Sequence, residues 1–235
     1  MILAIDTSLG SGVAVVTTDG DVRGVAERAE TRGHAEVIGD LILEALAASG
    51  AAPADITHVA AGMGPGPFTG LRIGIAAARA FAAGRGIDVV PVVSHDAVAL
   101  DALEALEGPD LVVVTDARRR EHAVSTYRGL DADGIPARVS GPALAPAAPS
   151  NPEPSTSEAV PGAARPLSNI APGAPETAPG AARPVPALTT RIPAGALGVL
   201  AGRQLRAGRI PDLAEPLYLR APDAKVPGAV KRVST

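Results

Sequence analysis

The feature that most limits how this chain can fold is the distribution of its prolines. Residues 141–190 hold 12 of the 23 prolines and contain no aromatic residue. Proline removes a backbone donor and fixes φ, so a segment this rich in proline cannot sustain a helix or the ladder of a sheet. We therefore expect most of this segment to be a linker or loop, with a folded exception near residues 188–192. The core must come from the residues before and after it.

Composition excludes several classes of protein. Of the 235 residues, 46% are hydrophobic and 2% aromatic, so the core is expected to be aliphatic. The absence of cysteine excludes disulfides, cysteine-ligated zinc and thiol nucleophiles. A formal net charge of −4 argues against a protein that grips nucleic acid unaided, because phosphate binding requires clustered positive charge. Neither a secretory signal nor an apolar stretch of roughly 18 residues is found, so a cytoplasmic protein without a membrane span is expected.

Hydrophobic periodicity predicts alternating strands and helices outside the proline-rich segment. The chain opens with a predicted β-meander, whose last two strands are joined through Asp19-Gly20-Asp21. The predicted strands are 2–5, 13–17, 22–27, 56–61, 89–93, 111–115 and 121–127. The predicted helices are 34–48 (ended by Gly50), 71–83 (closed by Gly84), 95–106 and 194–207, and a last ordered element is expected at 214–220. This pattern indicates an α/β protein.

Two loops carry residue types that suit a nucleotide. Asp6, at the end of the first strand, can hold a cation-bound water, and the hydroxyls of Thr7 and Ser8 can meet phosphate. The glycine loop 62–70 places free amides before a helix. It is neither a Walker A loop nor a Rossmann turn, because no Lys-Ser/Thr pair follows the glycines and Pro67 breaks the spacing. The alternative is a rigid turn with Thr69 as the helix N-cap.

Histidines and nucleophiles give no catalytic signature. No two histidines have the i, i+4 spacing that presents two imidazoles on one helix face; His95 is followed four residues later by Ala99. His34 is interpreted as a cap or surface residue, and no serine lies in a G-x-S-x-G motif. The basic turn 118–120 is either a solvated corner or a phosphate contact.

Two of the predicted helices carry more apolar and small surface than one sheet requires. Ala76, Ala77, Ala80 and Ala83 would let another helix approach closely, since interaxial distance depends on side-chain size. The first helix offers Ile38, Leu41, Ile42 and Leu43. This surface predicts a partner interface; the alternative is burial against the protein's own sheet.

Several strings together resemble the TsaB (YeaZ) family, the dimerisation subunits of the bacterial tRNA threonylcarbamoyladenosine modification complex. The resemblance covers about residues 1–128 and returns at 214–223, and its most specific part is the glycine loop with the start of the helix behind it. Pro67 stands where the family usually has serine. The matching strings are Met1-Ile2-Leu3-Ala4-Ile5-Asp6-Thr7-Ser8, His34-Ala35-Glu36, Gly64-Pro65-Gly66-Pro67-Phe68-Thr69-Gly70-Leu71-Arg72-Ile73-Gly74, Asp116-Ala117-Arg118 and Tyr218-Leu219-Arg220.

This resemblance implies a two-lobed, actin-like ASKHA (ribonuclease H-like) fold whose second lobe is shortened and interrupted by the proline-rich segment. The first lobe is expected at 1–107 and the reduced second lobe at 108–140 and 186–222. A linker is expected at 141–185 and a loose tail at 223–235. In the catalytic relative TsaD, a His-x-x-x-His pair after the fifth strand holds a metal. The matching positions here are His95 and Ala99, so half of that clamp is missing and no metal site is expected.

The resemblance further implies a non-catalytic scaffold without a required cofactor, in which nucleotide binding is weak or vestigial. Such a subunit pairs with TsaD, the ATPase TsaE joins the pair, and TsaD modifies adenosine 37 of tRNAs reading codons that begin with A. The tRNA is met only through the complex, and a homodimer is expected when the chain is alone. The predicted partner interface is Val37, Ile38, Leu41, Ile42, Arg72, Ile75, Ala76 and Arg79. The predicted degenerate nucleotide cleft is Asp6, Thr7, Ser8, Gly64, Gly66, Thr69 and Gly70.

Two other functions compete with this interpretation. The first is an active ATPase or small-molecule kinase of the same fold, which would need a second-lobe Asp and adenosine-contacting glycines. The second is a metallopeptidase, which would need a complete metal clamp.

Overall fold

The computed structural model of the protein describes residues 1–30, 33–105, 110–147 and 185–220. Its strands are β1 (Ile2–Asp6), β2 (Ser11–Val16), β3 (Val22–Arg28), β4 (His58–Gly62), β5 (Asp88–Val92), β6 (Asp110–Asp116), β7 (Glu121–Leu130), β8 (Pro136–Pro146) and β9 (Val185–Leu188). Its helices are α1 (His34–Ser49), α2 (Phe68–Arg85), α3 (Ser94–Ala105) and α4 (Ala194–Ala207), with a short 3-10 turn at Pro53–Asp55.

The first sheet has five strands in the order β3-β2-β1-β4-β5. The β1–β2 and β2–β3 pairs are antiparallel, as expected for the meander, whereas β1–β4 and β4–β5 are parallel. Strand β1 lies at the centre and every one of its residues is buried. A strand covered on both faces reads as a continuous apolar run, which is why residues 2–5 show no alternation.

The second sheet repeats the first with one strand fewer. Its order is β8-β7-β6-β9, with β6–β7 and β7–β8 antiparallel and β6–β9 parallel. Strands β6 to β9 therefore occupy the places that β1, β2, β3 and β4 occupy in the first sheet. This arrangement confirms a two-lobed α/β protein with a reduced second lobe.

Helices separate the two sheets and cover the first one. Helices α1 and α2 pack on one face of the first sheet, and α4 packs on the opposite face. Helix α3 packs against α4 and against the second sheet. The alternate residues of β1 show this division, because Leu3 and Ile5 join the core under α1 and α2, while Ile2 and Ala4 join the core with α3 and α4.

Helix α2 is longer than the periodicity predicts. It begins at Phe68, with Pro67 as its N-cap, and ends at Arg85. Proline is tolerated at a helix start, where no backbone donor is needed, so the helix extends into the predicted loop. Gly84 lies inside the helix, and Gly86, in a left-handed conformation, ends it. The prediction that Thr69 caps the helix is therefore wrong.

Strands β8 and β9 enter the segment that its prolines predict to be a linker. Strand β8 runs to Pro146 and β9 starts at Val185. Both are edge strands, where proline is tolerated because one side of the strand has no ladder partner. The predicted linker is thus wrong at 141–146, and the expected folded exception lies a few residues earlier than 188–192. Its remainder at 148–184, like the predicted tail at 223–235, lies outside the described residues.

The last described segment, 208–220, has no helix or strand and crosses both lobes. It contributes Leu213 and Tyr218 to the core under α1 and α2, while Arg209 and Arg220 pair with acidic residues of the second lobe. No helix in the part of the chain that the structure describes is long and apolar enough to cross a membrane.

Candidate functional site

Asp6 ends β1 at the centre of a buried polar cluster. Its Oδ1 accepts the Ser8 backbone N–H at 2.6 Å, and its Oδ2 accepts the Ser94 hydroxyl at 2.5 Å and the Ser8 hydroxyl at 3.2 Å. The Gly64 N–H donates to Ser94 Oγ at 3.0 Å. These bonds join β1, the glycine loop and the start of α3 through one carboxylate.

Burial governs the electrostatics of this carboxylate. Asp6 is 2% exposed, and desolvation raises the pKa of Asp6 above its ordinary value, although the hydrogen bonds from Ser94 and Ser8 oppose the rise. A carboxylate in this position holds lobe elements together, and it does not present an open face to a hydrated cation.

The glycine loop lies directly on residues 6–8. A Cβ at Gly62 would lie 1.8 Å from Asp6 Oδ2, and a Cβ at Gly66 would lie 2.8 Å from the Ser8 Cα. These glycines therefore permit close packing, and no side chain fits between the two loops. The structure brings the predicted cleft residues together by direct contact, with the exception of Thr69.

The Thr7 hydroxyl is likewise hydrogen-bonded within the protein, to the backbone of helix α2. Its hydroxyl donates to the Gly70 carbonyl at 2.6 Å and accepts the Gly74 N–H at 3.0 Å. Thr69, by contrast, is exposed in the first turn of α2. Of the hydroxyls predicted to meet phosphate, Thr7 and Ser8 are buried and hydrogen-bonded within the protein.

His95 is fully buried and both of its ring nitrogens are engaged. Nδ1 lies 2.8 Å from Ser125 Oγ, and Nε2 lies 2.9 Å from Thr115 Oγ1. Desolvation and the nearby positive charge of Arg138 lower the pKa of His95 to about 3. A neutral imidazole held between two hydroxyls joins α3 to the second sheet, and Ala99 behind it is buried as well.

An adjoining network escapes sequence reasoning altogether. The Tyr127 hydroxyl donates to Asp96 Oδ1 at 2.7 Å, and Arg138 Nε lies 3.2 Å from the same oxygen. Burial raises the pKa of Asp96 despite Arg138, and burial beside Asp96 raises the pKa of Tyr127. The only available signal was a lone tyrosine on the inward face of a predicted strand.

His34 differs from its predicted role. It is the first residue of α1 and is 7% exposed, and its Nδ1 lies 2.7 Å from Ser11 Oγ. Gly33, in a left-handed conformation, is the N-cap. The interpretation of His34 as a cap or surface residue is therefore wrong, because its ring packs between β2 and α2, where a Cβ at Gly70 would lie 3.3 Å from its Nε2.

The predicted partner interface divides into buried and exposed residues. Ile38, Leu41 and Ile75 are buried in the core under α1 and α2, so the prediction that they face a partner is wrong. Val37 and Ile42 are half-buried, and Ala76 is exposed. At the middle of α1 the exposed face carries Leu43, which is 65% exposed, and on α2 it carries Ala80 and Ala83.

The two arginines of the predicted interface contact the protein's own C-terminal segment. Arg79 donates to the Ala214 carbonyl at 2.7 Å, and Arg72 Nε donates to the Tyr218 hydroxyl at 3.0 Å. The Arg72 guanidinium also lies 3.7 Å from the centre of the Phe68 ring. One flank of α2 is therefore covered by this chain itself, which a reading of the helix alone did not predict.

The described residues form no metal-binding cluster, and the basic turn 118–120 is held by another part of the chain. No group of three or more His, Cys, Asp or Glu residues within the described ranges can hold a metal ion. Residues 118–120 are exposed, and all three have positive φ. The Arg220 guanidinium donates to the Arg118 carbonyl and to the Glu121 carboxylate, so the end of the described chain is fastened to this turn.

Comparisons with known proteins agree with these observations. A family model described as TsaD, tRNA N6-adenosine threonylcarbamoyltransferase, matches residues 14–144, more than half of the chain. An uncharacterized protein of Mycobacterium tuberculosis (strain ATCC 25618 / H37Rv) is 37% identical over 226 residues, which are 95% of this chain and 93% of that protein.

Two further relatives carry more specific names. The tRNA threonylcarbamoyladenosine biosynthesis protein TsaB of Haemophilus influenzae is 34% identical over 120 residues, 51% of this chain and 50% of that protein. A crystal structure from Pseudomonas aeruginosa, of an uncharacterized protein with similarity to the peptidase YeaZ, superposes with a TM-score of 0.69 at 25% identity. It covers 93% of this chain and 99% of that one. The actin-like ASKHA fold that the family resemblance implies is confirmed, and the chain belongs to the TsaB/YeaZ family.

Proposed function

We propose that the chain is a non-catalytic scaffold subunit that dimerises with the transferase TsaD and helps to recruit the ATPase TsaE. In this role it supports the threonylcarbamoylation of adenosine 37 in tRNAs reading codons that begin with A. The tRNA is contacted through the complex, in the cytoplasm, and the chain requires no cofactor of its own.

The observation that carries this proposal is the closed Asp6 cluster. The carboxylate that would face a nucleotide is 2% exposed and accepts three bonds from Ser8 and Ser94. The glycine loop that would cradle phosphate packs on the same residues without room for a side chain. The matching position for the first metal ligand of TsaD is His95, whose two nitrogens are already bonded to hydroxyls. Because the Asp6 carboxylate and the His95 ring are engaged in internal hydrogen bonds, they are not available for catalysis, which suits a subunit that supports another protein's chemistry.

The surface proposed for TsaD is the exposed face of α1 and α2. Leu43 projects from it with 65% of its surface exposed, next to the small exposed positions Gly39 and Ala47 on the same helix. A Cβ at Gly39 would meet no atom within 4 Å. Small residues around a large apolar one allow another helix to pack closely. Without TsaD, the same face would pair with a second copy of the chain.

A binding experiment with matched variants tests this proposal. Leu43→Glu places a charge in the proposed interface, while Leu188→Glu places one on an exposed leucine of β9 that is 48% exposed. Because TsaD would bury Leu43 in the complex, Leu43→Glu should weaken the affinity for purified TsaD by about 3 kcal/mol, a factor on the order of 100 in Kd. Leu188→Glu should bind as the wild type does. Equal affinity of both variants would contradict the proposed surface.

Calorimetric titration with ATP and magnesium tests the competing enzyme function. Because the Asp6 cluster is closed, we expect weak or no heat of binding and no hydrolysis by the isolated chain. Tight binding that is lost in Asp6→Asn would instead favour an active ATPase or kinase.

A further inference from the structure

A cavity of about 430 Å³ lies between the second sheet and helices α3 and α4. Its walls come from the β7–β8 hairpin, the first turn of α3, the end of α4 and the segment that follows α4. The volume is in the range of sites for small molecules, which combine apolar walls with a few placed polar groups. Ile135, Pro136 and Val139 supply apolar wall here.

Gln204 is the reason to regard this cavity as a binding site. Its side chain lines the cavity and is 3% exposed, yet its Oε1 has no hydrogen-bond partner among the residues that the structure describes. Buried acceptors are nearly always satisfied, because leaving one unpaired forfeits its bond to water. Gln204 Oε1 is therefore an acceptor that the described protein groups leave available to a bound donor.

Asp96 supplies a second acceptor to the same cavity. The bonds from Tyr127 and Arg138 both end on its Oδ1, and no described residue donates to its Oδ2. The side chain is 8% exposed and lines the cavity. Two acceptors thus line the same open-sided cavity, and a group with several N–H donors suits both.

Two guanidinium groups line the same cavity, and each has N–H donors that are not bonded to other described residues. Arg138 uses Nε on Asp96 and Nη1 on the Gly141 carbonyl, and Arg209 uses Nη1 on the carboxylates of Asp131 and Asp133. Nη2 of both arginines, and Nε of Arg209, have no partner in the described residues. Free guanidinium donors match the geometry of a carboxylate.

The charges of the lining residues cancel. Arg138 and Arg209 contribute two positive charges, and Asp96 and Asp131 contribute two negative ones. These charges lie in pairs, since Arg138 Nε is 3.2 Å from Asp96 Oδ1 and Arg209 Nη1 is 2.5 Å from Asp131 Oδ2. A lining of paired charges favours a ligand without net charge over a lone anion or a lone cation.

We propose that this cavity binds a small zwitterion that carries an ammonium group and a carboxylate. Gln204 and Asp96 accept the hydrogen bonds of the ammonium group. The guanidinium groups of Arg138 and Arg209 donate to the carboxylate. This site is independent of the TsaD interface, and it remains testable whether or not the proposed function is correct.

Ligand-observed NMR and calorimetry on the full chain test the proposal. The probes are glycine, β-alanine, 4-aminobutyrate and 6-aminohexanoate, which separate the two charges by increasing distances, with butyrate, butylamine and glycerol for comparison. We expect one zwitterion to bind at least about tenfold more tightly than butyrate, butylamine or glycerol, since only it can use both the acceptors and the guanidinium donors of the cavity. If no zwitterion binds more tightly than these three, the proposal is wrong.

Variants assign the binding to this cavity. Gln204→Met removes the acceptor at similar volume, and Arg209→Gln removes a guanidinium that is 52% exposed; each should weaken the best zwitterion by about tenfold or more. Arg85→Gln, at the distant end of α2, should bind as the wild type does. Gln204→Met should also melt at a higher temperature than the wild type without ligand, which shows that it is folded. Unchanged binding in both cavity variants would overturn the assignment.

Discussion

The buried histidine of α3 makes the stability of this protein depend on pH in a predictable way. His95 has an ordinary pKa of 6.5, which its buried site lowers to about 3. The unfolded chain therefore takes up a proton below pH 6.5, while the folded protein takes up none until the pH approaches 3. Acid consequently favours the unfolded state, and the stability that His95 contributes is complete above pH 6.5 and lost progressively below it.

The magnitude follows from the distance between pH and the unfolded pKa. At pH 4.5 the imidazole is two pH units below 6.5 in the unfolded chain and still neutral in the folded protein. Each unit is worth about 1.4 kcal/mol, so His95 should remove about 3 kcal/mol of unfolding free energy between pH 7.5 and 4.5. Asp6 acts in the opposite direction, because its pKa is raised.

A comparison of two proteins isolates the histidine from such carboxylates. Urea denaturation of the wild type and of His95→Gln, followed by circular dichroism at pH 7.5 and 4.5, should show an acid loss about 3 kcal/mol larger in the wild type. In the wild type the ring signals of His95 should also stay constant by NMR over this range. An equal acid loss in both proteins, or a His95 ring that titrates above pH 5, would refute the reasoning.

Two further predictions concern packing. Gly62→Ala should lower the free energy of unfolding by about 3 kcal/mol or more in urea denaturation, because its Cβ would lie 1.8 Å from Asp6 Oδ2. In the control Gly84→Ala the new Cβ has no atom within 4 Å, so this variant should instead stabilise the helix by about 1 kcal/mol. Equal effects of the two variants would contradict the close packing. Tyr218→Ala removes the ring that packs on the first turn of α2. Exchange of the Leu217 amide, which donates to the Met63 carbonyl just after β4, should therefore accelerate about tenfold; an unchanged rate would mean that the segment is held by other contacts.

The parts of the fold that the sequence predicts well are those with strong local periodicity. The β-meander, α1 and α4 need only short-range patterns and glycine stops. Strand β8 does not follow this rule, because most of its residues are half-buried or exposed and three of them are prolines. An edge strand tolerates both features. A prediction from composition alone therefore wrongly assigns the second half of β8 to a linker.

The candidate site shows a different limit. The sequence predicts that Asp6 and the glycine loop lie close together, because both match segments of one known family. The bonds of His95 to Thr115 and Ser125 span 20 and 30 residues, and serine and threonine are too common for one sequence to reveal such pairs. The C-terminal segment over α2 is equally invisible, since its contacts are set by the packing of two lobes.

The partner-interface prediction was wrong for Ile38, Leu41 and Ile75 for a related reason. A helix pattern separates apolar from polar faces, but it does not say which apolar residues the protein's own sheet covers. Leu43 was among the residues that the pattern offered to a partner, and the burial of Ile38 and Leu41 leaves it as the exposed large apolar residue of α1.

Reconstitution of the tRNA modification tests the central claim most directly. Purified TsaD and TsaE, tRNA and the threonylcarbamoyl donor would be incubated with and without this chain, and the modified nucleoside would be measured by mass spectrometry. We predict that modification requires the chain, that Leu43→Glu fails to support it, and that the chain without TsaD forms none. Modified nucleoside formed by the isolated chain, or full modification in its absence, would contradict a scaffold.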